Sequence, residues 1–291
     1  MLGVSILHVV RTCCILCAAM LAAGAAPVAA AGPSANAAAK SDTAKPKLPE
    51  IKVSGDWGSA SPDDVHAVLA SCAKNLLRYS PDRRLTTILV RPHEGVPITL
   101  YEKGPAGEYR VLLSARGQYW SQYAYQFSHE LVHILSNYDH RKAGRNLWFE
   151  ESLCETSSLF TMRRMAITWK TDPPYANWKG FAPHLDQYVD TLLAPRRRRL
   201  PPDRTMPQWF AEHQKSLEAQ RELTPDSQMV AVYLLSLFED EPTGWEALTW
   251  INLGPHDADV DLRDYLKGWK ERVPERHRAF LAKLQSLFGF E

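Results

Sequence analysis

The sequence predicts an α+β fold: a small mixed sheet-and-helix N-terminal lobe followed by a mainly helical C-terminal lobe. Three observations carry this. Short β-branched runs are confined to the region before residue 115. Apolar residues at helical spacing dominate after residue 146. The 291 residues are 45% hydrophobic and 23% charged, an ordinary globular composition, and contain no internal repeat.

The elements follow in order. Residues 1–31 carry one strongly charged side chain, Arg11, then an apolar run and an Ala-rich stretch, as in a secretory signal peptide. The run is short for a membrane span, so an uncleaved N-terminal anchor is the alternative. Export to a periplasm or medium is the expectation. Residues 32–48 are rich in Ala, Ser, Pro and Lys and read as a flexible tether. The folded domain is expected over 49–291, as an α/β lobe over 49–145 and a helical lobe over 146–291. Ile51 to Val53 reads as a short strand. Ser61-Pro62-Asp63-Asp64 is a helix start, with a cap, a first-turn proline and acids at the positive end. That helix should run to about residue 79. Strands are expected at 85–91, 98–101 and 108–114, the last two joined by the Gly104-Pro105-Ala106-Gly107 turn. Helices are expected at 118–138, 147–167, 184–193, 207–222, 227–239, 244–252, 262–272 and 274–288.

Composition excludes some classes of function. The formal net charge is +1, and loss of the signal segment leaves the chain neutral, so nothing points to nucleic acid. Nothing beyond the N-terminal segment points to a membrane. Of five cysteines only Cys72 and Cys154 lie beyond that segment. They are too few for a disulfide scaffold; one bridge or two buried thiols both fit. Arg196 to Arg199 form a four-arginine run in a proline-rich stretch, expected to be a solvated loop. Oligomeric state is not written in the sequence.

The strongest motif is His129-Glu130-Leu131-Val132-His133, inside the expected 118–138 helix. Two imidazoles four residues apart share a helix face, about 6 Å apart along the axis, and can reach one Zn²⁺. Glu130 between them can take a proton. A third protein ligand is then needed.

Downstream the chain reads Trp148-Phe149-Glu150-Glu151-Ser152-Leu153-Cys154-Glu155. With the histidine motif, this resembles the gluzincins, the thermolysin-like and aminopeptidase-like zinc metallopeptidases, whose second helix has the form W-[LF]-x-E-G-x-A. The resemblance implies a zincin-like catalytic domain and makes Glu151 the third Zn²⁺ ligand with His129 and His133. It implies that Glu155 bonds the outer nitrogen of a zinc histidine. Glu150 falls on a variable position; Ser152 and Cys154 stand where Gly and Ala are usual. It further implies a Tyr or His oxyanion donor from the helical lobe, with Tyr233 the candidate and His184, Tyr188 and His213 its rivals. Asp139 is a rival third ligand by the metzincin spacing, although Ser136 stands at that pattern's glycine. The expected activity is hydrolysis of a protein or peptide substrate with Glu130 as general base. The alternatives are a catalytically inactive binding module on the same fold and a metallohydrolase of a non-peptide amide.

Overall fold

The computed structural model describes residues 47–140 and 144–291. The expected signal segment and nearly all of the expected tether lie outside these residues. No helix among the described residues is long and apolar enough to cross a membrane.

The fold is α+β, as the pattern predicts: a small mixed sheet followed by a mainly helical part. β1 (Ile51–Val53) leads through α1 (Pro62–Leu77) to β2 (Ile88–Pro92), and β3 (Ile98–Thr99) and β4 (Tyr109–Leu113) complete a sheet of order β1-β2-β4-β3. β1 and β4 both pair parallel with β2; β3 pairs antiparallel with β4, with Thr99 opposite Val111. β3 is thus an edge strand. The α1 start behaves as read: the Ser61 hydroxyl accepts the Asp64 N–H at 3.0 Å, with Pro62 in the first turn. β2 begins three residues later than expected. Just before it, the Thr86 and Thr87 hydroxyls donate to Gly107 O and the Glu50 carboxylate.

α2 (Trp120–Leu135) carries the histidine motif. It stops at Ser136 because Asn137 takes a left-handed conformation, φ 55°. The Asn137 side-chain amide donates to the carbonyls of Leu248, Thr249 and Ile251, which fixes the helix end to the C-terminal part. A 3-10 turn, Tyr138–His140, follows.

α3 (Leu147–Thr168) is the central helix. Every residue from Leu147 to Met162 is buried, so only its last turns reach solvent. Its serine hydroxyls are satisfied by backbone: Ser152 by Trp148 O, and Ser157 and Ser158 by Ser128 O and Tyr125 O on α2. These small residues let α2 and α3 lie close, and two hydroxyls stitch them together. α4 (Ala182–Leu193), α5 (Met206–Ala219), α6 (Pro225–Asp240), α7 (Leu262–Arg272) and α8 (Glu275–Leu287) close around α3. One hydrophobic cluster runs from Ile51 to Phe290 and includes residues of both expected lobes.

Two expectations change. Residues 244–252 do not form an α-helix; Pro242–Trp250 is 3-10. Gly244 lies so close to the Phe280 ring that a Cβ there would meet it at 2.4 Å. The arginine run is not simply a solvated loop. Arg196–Arg198 is a 3-10 turn whose third residue, Arg198, is 2% exposed.

Candidate metal centre

α2 and α3 pack with the motif face of one against the acidic face of the other. The His129 and His133 rings are 5.1 Å apart between centroids. Nε2 of His129 lies 3.2 Å from Glu151 Oε2, and Nε2 of His133 lies 3.6 Å from Glu151 Oε1. The structure therefore brings together the two motif histidines and Glu151. His129 Nε2 and Glu151 Oε2 face one another, yet neither has a hydrogen-bond partner among the described residues; nor has His129 Nδ1. Buried polar atoms left this way are costly unless a further group satisfies them.

Glu130 is buried near both histidines. Its Oε2 accepts the Thr99 hydroxyl at 2.9 Å, while Oε1 has no partner among the described residues. Burial pushes its pKa up, against the pull of His129, His133 and Thr99. Burial likewise opposes charge on Glu151, but the two histidines bring its pKa below the ordinary carboxylate value. Burial disfavours the charged form of His133 too, yet Cys154, Glu151 and Glu150 hold its pKa well above the usual imidazole value.

The outer nitrogen of His133 meets Glu150, not Glu155. Nδ1 of His133 is 2.8 Å from Glu150 Oε1. Asn252 Nδ2 donates to Glu150 Oε2 at 2.8 Å and to Ser136 O at 2.8 Å, and the Tyr265 hydroxyl donates to Asn252 Oδ1 at 2.7 Å. Asn252 sits at φ 60°, a left-handed position that asparagine tolerates better than most residues. This chain of bonds fixes the His133 ring orientation from behind.

Glu155, expected at a histidine, lies elsewhere. Its carboxylate accepts the Tyr125 hydroxyl and, at 2.6 Å, Arg198 Nη1. One turn of helix separates Glu155 from Glu151, enough to face it past the histidines. Asp139 is not at the centre either: its Oδ2 pairs with Lys103 Nζ at 2.6 Å. The Tyr233 hydroxyl accepts the Leu200 N–H at 3.2 Å. Cys72 and Cys154 are both free and buried. Cys154 Sγ lies with one ligand nitrogen of each motif histidine in a set whose members are all within 4.8 Å of one another.

The donor set fits a divalent cation. Glu130, Glu150, Glu151 and Glu155 are four buried carboxylates: Arg198 pairs with Glu155, His133 with Glu150, and both motif histidines face Glu151. His129 and Glu151 carry buried atoms without a hydrogen-bond partner among the described residues, and these face one another at 3.2 Å. Nitrogen and carboxylate donors at this spacing suit Zn²⁺.

Sequence reasoning missed Thr99, Asn252, Tyr265 and Arg198. The first three carry no local signal, being brought in by distant elements. Arg198 is indistinguishable by letter from its three neighbours. Comparison of the chain with family models, curated proteins and solved structures finds no match to any of them.

Proposed function

We propose that the protein is a zinc-dependent metallopeptidase of the gluzincin type, with His129, His133 and Glu151 as metal ligands and Glu130 as general base. The observation that carries this is the convergence of the two motif imidazoles on the Glu151 carboxylate, with buried atoms that no other described group satisfies.

When bound, the metal supplies Lewis acidity, polarising a carbonyl and bringing the pKa of a water toward about 7. The chain's own groups do the rest. Glu130 is held at Oε2 by Thr99, so Oε1 is the atom that takes a proton and returns it to the leaving amine. Thr99 belongs to edge strand β3, and an extended peptide can add to such an edge beside Glu130. Tyr233 is the proposed oxyanion donor. Its oxygen accepts from Leu200, which leaves its own proton available to donate. Leu200 follows Arg198, which grips Glu155 one turn from Glu151.

The test is turnover of unfolded protein or a peptide library by metal-loaded protein. Activity should be lost on chelation and restored by Zn²⁺. Glu130→Gln should bind metal normally and lose about 10²–10⁴-fold in kcat. Equal turnover in the two proteins would remove Glu130 from its role. Metal retained after His129→Ala and Glu151→Ala would remove the centre itself.

A further inference from the structure

The chain holds two buried thiols in different surroundings. Cys72 Sγ lies against Ala124 O and, at 3.5 Å, Met165 Sδ, an environment of packing. Cys154 lies on α3 three residues after Glu151, on the same helical face. It is wholly buried, and its sulfur belongs with the ligand nitrogens of His129 and His133 in a set spanning no more than 4.8 Å. Both nitrogens of His129 and Glu151 Oε2 lack a hydrogen-bond partner among the described residues, although His129 Nε2 and Glu151 Oε2 lie 3.2 Å apart. A sulfur donor therefore stands near one ring nitrogen of each motif histidine. With Zn–N bonds of about 2.0 Å and Zn–S of about 2.3 Å, tetrahedral N···S separations are about 3.5 Å, so the sulfur need close by at most about 1.3 Å.

We propose that Cys154 is a fourth protein donor to this centre, a thiolate beside His129, His133 and Glu151. The proposal rests on the metal-centre reading above. On binding, the S–H bond breaks, its proton leaves to solvent, a sulfur–metal bond forms and one water of the incoming ion departs; no electron changes hands. A soft donor biases the site toward Zn²⁺, Co²⁺ or Cd²⁺ and away from Mg²⁺, Ca²⁺ or Mn²⁺. While bound, the sulfur occupies the position that the activated water needs, so turnover requires the sulfur to be displaced.

The experiment is Co²⁺ titration of the metal-free full chain, followed by absorption. Wild type should show visible ligand-field bands together with a near-ultraviolet thiolate-to-cobalt charge-transfer band. Cys154→Ala should keep the visible bands, lose the charge-transfer band and bind at least about tenfold more weakly. Cys154→Ser preserves side-chain volume and should give the same spectrum if the alanine variant fails to fold. Cys72→Ala should look like wild type. Visible bands without a charge-transfer band in wild type would overturn the thiolate ligand and leave the three-ligand centre standing. No Co²⁺ uptake by wild type, or uptake unchanged by His133→Ala, would overturn the metal centre and this proposal together.

Discussion

Asn252 Nδ2 donates to Glu150 Oε2 at 2.8 Å, across 102 positions of sequence, while the other oxygen of Glu150 meets His133. A residue far from the motif thus controls how one motif imidazole is presented. Asn252→Gly keeps the left-handed backbone and removes only the amide. It should weaken Zn²⁺ binding about 10–100-fold, measured by chelator competition, with the fold retained by circular dichroism. Asn252→Ala adds backbone strain to the same loss and should also lower thermal stability. Unchanged affinity in Asn252→Gly would remove the amide from this role.

Arg198 and Glu155 form an ion pair with both side chains buried. Removing one partner strands the other. Arg198→Ala should cost about 3–5 kcal/mol in urea denaturation. Adding Glu155→Gln should recover part of that loss, because the stranded charge goes. Alanine at Arg196, Arg197 or Arg199, all exposed, should each change stability by no more than about 0.5 kcal/mol. A similar cost at all four positions would refute the buried pair.

Thr99→Val keeps shape and deletes the hydroxyl that steadies Glu130. The expected result is about a tenfold loss of kcat with Zn²⁺ affinity unchanged, since one buried acceptor is left unsatisfied at a cost of about 1–3 kcal/mol. A loss confined to metal binding would contradict the assignment.

Burial pushes the Cys72 thiol up to about 12. Native protein should therefore resist iodoacetamide at this residue until it unfolds. The sign of the pH effect follows from linkage. The folded-state pKa is raised, so the contribution is fully present below the unfolded thiol value of about 8.5 and is lost as pH rises toward the folded value. Denaturation midpoints of wild type should fall between pH 8.5 and 10.5 by more than those of Cys72→Ala, approaching about 1.4 kcal/mol per pH unit at the upper end. Parallel slopes would sink the argument.

What could be read along the chain was local. The i,i+4 histidines and the Ser61 cap depend on spacing within one element, and both appear as expected. The α+β division follows from the change in hydrophobic period, and it too appears. Glu151 came from the resemblance of its helix, and it faces both rings. The choice between Glu150 and Glu155 is of another kind. It depends on how α3 is rotated against α2, and that is set by Ser157 and Ser158 reaching α2 carbonyls. Such an angle is not spelled in either helix. Asn252 and Tyr265 enter from the far end of the chain, and nothing near the motif announces them. Arg198 alone of the run is buried, paired with buried Glu155, and a run of identical letters conceals which arginine that is.

Asn137 bonds three carbonyls just before Asn252, and Asn252 returns a bond to Ser136 O beside Asn137. The end of the motif helix and the loop that braces Glu150 are therefore a single reciprocal clasp. It cannot be assembled from one side. A fragment ending before this loop would retain the whole histidine motif yet lack the brace, so the tail of the chain is a structural member of the centre and not an appendage to be trimmed.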